Sequence, residues 1–237
     1  MRSAIWSTIW STVSSDFDIV RHPRARTLKL SLDPVTGRAR LVLPRRAALQ
    51  PALAWALGKA GWLAEQRARL PVAHPFTPGA VLPVADEQLT IAWAAGRRRT
   101  VLRQGDTLSL EGPEETVPRR VEAWLRRTAL DVLSRETATV AQAAGVTVIQ
   151  VAIGDPRGRW GSCASTGVIR YSWRLILAPG FVRRATVAHE VAHRVHMHHG
   201  PAFHSLAAEL LGTNPAPARD WLRRHGAALH WYGRSSG

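Results

Sequence analysis

Cysteine, methionine and lysine are all scarce in this chain of 237 residues, and each scarcity narrows what the chain can be. Cys163 is the lone cysteine. It has no partner for an internal disulfide, so nothing points to an oxidising compartment. Nowhere does the sequence offer the roughly 18 uninterrupted apolar residues of a membrane span. The opening residues MRSAIWSTIWSTVSSD carry Trp6 and Trp10, but serine and threonine break them throughout. They lack the continuous apolar segment of a secretory leader and read as a flexible arm. The expectation is a cytoplasmic protein with no membrane partner. Acidic residues are few as well: 17 against 32 basic ones leave a net charge of +15. Only Lys29 and Lys59 are lysines, so the excess is nearly all arginine.

Clustered arginine recruits phosphates and raises encounter rates with polyanions. Here the arginines are scattered in short runs: Arg97–Arg98–Arg99, Arg119–Arg120, Arg126–Arg127, Arg183–Arg184 and Arg223–Arg224. Scatter favours decoration of solvated faces over one binding face, and no recognised nucleic-acid motif accompanies it. A weak association with nucleic acid is the most that this charge supports. Apolar residues make up 46% of the chain, enough for a substantial core.

From Phe17 to Leu43 the pattern is that of strands. Leu28, Leu30 and Leu32 alternate with Lys29 and Ser31, and Asp33-Pro34-Val35-Thr36-Gly37 is a turn. Pro44 to Leu70 reads as one helix, with Leu49, Leu53, Ala56, Leu57, Ala60 and Leu63 at threes and fours. Proline-rich residues 71–83 end it, and short strands return from Val84 to Leu110. The character changes at Gly112-Pro113. Val117 to Ala144 reads as one long helix stopped by Gly145. Strands follow at Val146–Ile153, Arg159–Cys163 and Val168–Trp173, the last two around a turn at Ser165-Thr166-Gly167. Pro179 opens a further helix, Pro201 another that runs to Gly212, and Ala216 to Leu229 a final one. No internal repeat is present.

The segment His189-Glu190-Val191-Ala192-His193 is an H-E-x-x-H motif set within an apolar helical pattern, placing it mid-helix. Histidines four apart on a helix have Cβ atoms about 5–6 Å apart. Both imidazoles can then reach one tetrahedral zinc at about 2.0–2.1 Å. Glu190 sits beside the first ligand, where it can take a proton from metal-bound water without ligating the ion. A third ligand has several candidates. His196 lies about 10 Å along the helix from His189 and is out of reach. His199 precedes Gly200-Pro201, where the helix must break and the chain can turn back toward the ion. Glu209 on the following helix ranks behind His199, and His204 behind both. His196, His198 and His204 otherwise read as exposed or supporting histidines.

Arg159-Trp160-Gly161-Ser162-Cys163, Tyr171-Ser172-Trp173-Arg174-Leu175-Ile176-Leu177-Ala178-Pro179, the H-E-x-x-H motif and His199-Gly200-Pro201-Ala202-Phe203 together resemble the YgjP-like metallopeptidase domain, a family related to the SprT-like zinc peptidases. The resemblance extends more loosely to Arg21–Leu43 and to Trp62-Leu63-Ala64-Glu65-Gln66. It implies a zincin fold, zinc held by His189, His193 and His199, and Glu190 as catalytic base. This sequence departs from the family where His198 replaces a common asparagine and His204 an aromatic residue. Metzincins share the spacing from His189 to His199, but they have glycine where His196 stands. Met197 is the only internal methionine, so no separate methionine turn follows.

The resulting expectation is an α+β protein. A flexible arm spans 1–16, and a β-rich N-terminal portion with one helix spans 17–112. A zincin-like catalytic domain (long helix, small antiparallel sheet, H-E-x-x-H helix, C-terminal helices) spans 113–232, and a flexible tail 233–237. The function is zinc-dependent hydrolysis of peptide bonds in a peptide or protein substrate, by attack of a metal-bound water that Glu190 activates. Arg159, on a strand next to the active-site helix, is a second catalytic candidate for holding a substrate carbonyl or oxyanion. That strand can also pair with a substrate by strand addition. Trp160 and Trp173 read as core aromatics, and Cys163 as a small buried thiol. Two other functions compete with this one. Metal-dependent cleavage of nucleoside triphosphates is motivated by Arg157, Arg159, Arg170 and Arg174, against the absence of a glycine-rich phosphate cradle or a carboxylate cluster for magnesium. A DNA-associated protein-processing factor is motivated by charge and by the related SprT-like peptidases.

Overall fold

Strand β3 (Ala39–Pro44) sets the pattern of the N-terminal part. Ala39, Leu41 and Leu43 are wholly buried while Arg40 is exposed, as one face of a pleated strand requires. It is the centre of a three-stranded sheet, parallel to β1 (Phe17–His22) and antiparallel to β2 (Lys29–Leu32). The Asp33 carboxylate accepts from the backbone N–H groups of Val35 at 2.8 Å and Thr36 at 3.3 Å, closing the expected turn. Two helices cover this sheet, α1 (Leu49–Leu57) and α2 (Ala60–Ala68), where one was expected. The break falls at Gly58-Lys59: glycine is a poor helix former, and Lys59 leaves the helical region at ψ 18°. Leu53, Ala56 and Leu63 still point to the same small core with Leu41 and Leu43.

The computed structural model describes residues 17–97 and 100–234. The expected arm at 1–16, the pair Arg98–Arg99 and the last three residues of the expected tail lie outside them. The described chain falls into two units, one ending at Pro71 and one beginning at Val72. The change of sequence character near residue 112 therefore lies inside the second unit. The physical reason is a shared core: Leu89, Ile91, Leu108 and Leu110 of the strands before residue 112 pack in one cluster with Val121, Leu125 and Leu133 of the helix after it.

Those strands are β4 (Val81–Val84), β5 (Glu87–Ala94), β6 (Leu102–Gln104) and β7 (Thr107–Glu111), in the order β4-β5-β7-β6. Helix α3 (Val117–Ala143) buries Val117, Val121, Leu125, Ala129, Leu133, Thr137 and Ala141, a stripe at every fourth residue. Gly145, at φ +63°, ends it in the left-handed conformation, and Val146 N–H returns to the Ala141 carbonyl. A third sheet joins β8 (Gln150–Gly154), β10 (Val168–Ser172) and β9 (Gly161–Cys163) in that order. It is mixed rather than antiparallel as expected. β9 and β10 form the antiparallel hairpin, but β8 pairs in parallel on the other side of β10.

Three further helices follow: α4 (Gly180–Ala192), α5 (Pro201–Leu211) and α6 (Ala216–Leu229). Helix α4 is fixed from two sides. Asp86, in the β4–β5 turn, accepts from the Gly180 N–H, placing a carboxylate at the positive end of the helix. A Cβ at Gly180 would come within 2.2 Å of that carboxylate, so the approach needs glycine. Arg183, buried, donates to Glu136 of α3 at 2.8 Å and reaches Asp86 at 3.3 Å. Arg183→Ala would strand a half-buried carboxylate and is expected to lower stability by about 1–3 kcal/mol, measured by urea unfolding. An unchanged midpoint would mean that this tie does not hold α4. Among the described residues no helix is long and apolar enough to cross a membrane.

Candidate metal centre

Burial decides which side of α4 faces the site. Val182, Thr186, Val187, Glu190 and Val191 are buried, and His189 is half-buried on the last full turn. The helix ends at Ala192, so His193 is its C-cap, a correction to the expected mid-helix setting. Its φ −64° and ψ −15° remain helical, so its side chain still stands one turn beyond that of His189. The chain then turns back through residues 194–200, and His199 reaches the pair just before α5.

The ligand atoms of His189, His193 and His199 all lie within 4.8 Å of one another. Nε2 of His189 and Nε2 of His199 are 3.1 Å apart. Two ligands at about 2.0–2.1 Å on a tetrahedral ion are about 3.3–3.4 Å apart, so this spacing suits a shared ion. Nδ1 of His193 lies 3.1 Å from the His196 carbonyl, which can only accept. Nδ1 therefore carries the proton, leaving Nε2 as the lone-pair donor, the usual support of a metal-binding imidazole. Burial lowers the His189 pKa to about 4, helped by repulsion from His193, His199, His204 and Arg219. Burial also lowers that of His193. Neutral imidazoles are the form that binds metal, so this donor set fits a divalent transition-metal ion.

Phe203 forms the floor. Its ring centroid lies 4.8, 4.5 and 4.6 Å from the rings of His189, His193 and His199, and it is fully buried. Sequence reasoning assigned it no role. Its position at the third residue of a proline-initiated helix just after His199 was the available signal, since that turn faces back onto the site.

Glu190 is buried, and its carboxylate makes no hydrogen bond or ion pair with the described residues. Burial pushes its pKa up to about 7, opposed by the charge of Arg159. A Cβ at Gly161 would lie 2.4 Å from Glu190 Oε1, so the first residue of β9 must be glycine for the carboxylate to sit where it does. Gly161→Ala should displace Glu190 and cut hydrolysis on the order of 100-fold while metal content and folding stay unchanged. Wild-type turnover in that variant would show that the contact is dispensable. Glu190 and His189 open on a cavity of about 270 Å³ that also meets Arg159, Phe203 and α6.

Arg159 is exposed at the cavity rim just ahead of β9, which is a sheet edge among the described strands. His204 lines the cavity, its ring 6.2 Å from that of His199, and does not belong to the three-histidine group. Nor does Glu209, which is exposed on α5. Cys163 is a half-buried free thiol outside the group. Trp173 is wholly buried, and half-buried Trp160 packs against the same core while lining the cavity. Of the four arginines Arg157, Arg159, Arg170 and Arg174, only Arg159 lines the cavity. Arg174 is committed to Asp155 and to the carbonyls of Leu229 and Tyr232.

A family model described as "YgjP-like, metallopeptidase domain" matches residues 26–225. No curated protein and no solved structure matches the chain.

Proposed function

The chain belongs to the YgjP-like metallopeptidase family, and on that footing we propose that it is a zinc-dependent peptidase working through His189, His193, His199 and Glu190. The observation that carries this reading is the group of three imidazoles with ligand atoms within 4.8 Å, set beside a buried carboxylate on an open cavity. An all-imidazole donor set favours zinc over magnesium or calcium, which take oxygen ligands.

When bound, the ion would supply Lewis acidity, bringing a water's pKa to about 7 and polarising a peptide carbonyl. The other steps belong to the chain's own residues. Glu190 accepts the proton of the attacking water at a carboxylate oxygen and passes it to the leaving amine nitrogen. Gly161 leaves it room to do so. Arg159, at the rim, donates to the carbonyl oxygen as negative charge develops there. The edge strand β9 gives an extended substrate backbone groups to pair with. His196, through its carbonyl, keeps the His193 ring in one tautomer and orientation.

The test is removal and return of the metal. Dialysis against a chelator should abolish cleavage of an unfolded protein substrate such as casein, and one equivalent of zinc should restore it. Cleavage that survives with no metal in the sample would refute the proposal.

A further inference from the structure

We propose that the cavity beside Glu190 is the cleft's specificity pocket, taking an apolar substrate side chain while Arg219 holds a carboxylate next to it. This rests on the peptidase reading and adds the class of substrate. The pocket is built by helices α4, α5 and α6 closing on the residues that lead into β9. Each helix contributes an alanine to the wall: Ala185, Ala207 and Ala218. Because these side chains stop at a methyl group, three packed helices leave a space where larger residues would fill the gap. Trp160, Phe203 and Leu222 supply the rest of an apolar lining. At about 270 Å³ the space far exceeds the about 10–15 Å³ that one water needs. It suits the side chain of leucine or phenylalanine, and apolar walls with few polar groups are the usual form of such a site.

The rim is cationic. Arg159 and Arg219 line the cavity, with Glu190 as the single acidic residue among its walls. Arg219 is exposed, and its guanidinium makes no hydrogen bond or ion pair with the described residues. Its acidic neighbour Asp220 is occupied by Arg223 at 3.2 Å. By contrast Arg174 and Arg183 are both committed to carboxylates. A free guanidinium beside an apolar pocket selects a ligand that is apolar at one position and anionic at the adjoining one. The carboxylate can come from an acidic side chain or from the end of a peptide.

Binding tests this without turnover. Zinc-loaded full-length protein carrying Glu190→Gln is titrated into dye-labelled hexapeptides and followed by fluorescence anisotropy. The peptides vary leucine, phenylalanine, serine or lysine at one position and glutamate or lysine at the next. Leucine and phenylalanine should bind about 10–200-fold more tightly than serine. Glutamate should be preferred to lysine at the neighbouring position on the order of 5-fold. Arg219→Glu should reverse that second preference and leave the first intact. Ala218→Leu should fill the pocket and erase the first. Should that variant fail to fold, Leu222→Ala should instead extend tight binding to tryptophan. Paired peptides with free or amidated C-termini separate the two sources of the carboxylate. Equal binding of leucine and serine peptides, an Arg219→Glu protein with unchanged flank preference, or no binding at all overturns the inference. Selective binding together with no cleavage by the wild-type protein would uphold the pocket and count against the peptidase reading instead.

Discussion

Glu190→Gln should lower peptide hydrolysis by about 100- to 10,000-fold while the protein keeps one equivalent of zinc and loses nothing in melting temperature. Glutamine matches glutamate in size, so Gly161 can accommodate it as it does the carboxylate. The change removes only the ability to accept a proton. Glu190 contributes no ligand to the three-histidine group, so metal binding has no reason to fall. Stability should hold or rise, because a buried carboxylate without a partner is costly and a neutral amide costs less. Metal analysis and a protease assay on the same preparation read both effects. Wild-type turnover would remove Glu190 from the mechanism, whereas joint loss of metal and activity would make it a ligand.

His199→Ala should have the second large effect, and through a different property. Two imidazoles remain, one turn apart on α4, and two ligands do not close a tetrahedral site. Zinc affinity should fall by more than the about 10–100-fold that follows loss of an outer-shell partner, taking activity with it. His199 is exposed and lies in the connection between α4 and α5, so the apo protein should stay folded. Replacing His204 or Glu209, the other candidates for the third ligand, should leave zinc affinity within a few-fold. If Glu209→Ala lost the metal and His199→Ala kept it, the ligand set proposed here would be wrong.

The contrast between His193 and His199 shows what the sequence could tell. The spacing of His189 and His193 is a local property, readable because a helix repeats every 3.6 residues. It survives even though the helix stops one residue short of His193. The approach of His199 depends on where residues 194–200 turn, and only Gly200-Pro201 marked that bend. Likewise the stripe from Val117 to Ala141 and its stop at Gly145 were legible, because each follows from period and from a glycine terminator. The break at Gly58-Lys59 was not, since Leu57, Ala60 and Leu63 continue the apolar spacing across it.

Long-range features left the weakest traces. Nothing local in Gln150–Gly154 says that it pairs in parallel with β10, and so the sheet was expected to be antiparallel. The shared core of β5, β7 and α3 crosses the composition change at residue 112, a long-range contact that no local pattern announces, and the chain divides into its two units after Pro71. At the site, Gly161 reads in sequence as a residue that lets a strand bend. Its clearance over Glu190, 29 positions later, exists only once β9 lies against α4. Phe203 beneath the three rings belongs to the same class.

X-ray absorption at the zinc edge of the metal-loaded full chain is the most direct measurement of the central claim. It should show three imidazole nitrogens at about 2.0–2.1 Å and one further light-atom ligand, with one nitrogen lost in His199→Ala. A sulfur scatterer at about 2.3 Å, which only Cys163 or a methionine could supply, or a six-fold oxygen shell unaffected by the histidine substitutions, would contradict it.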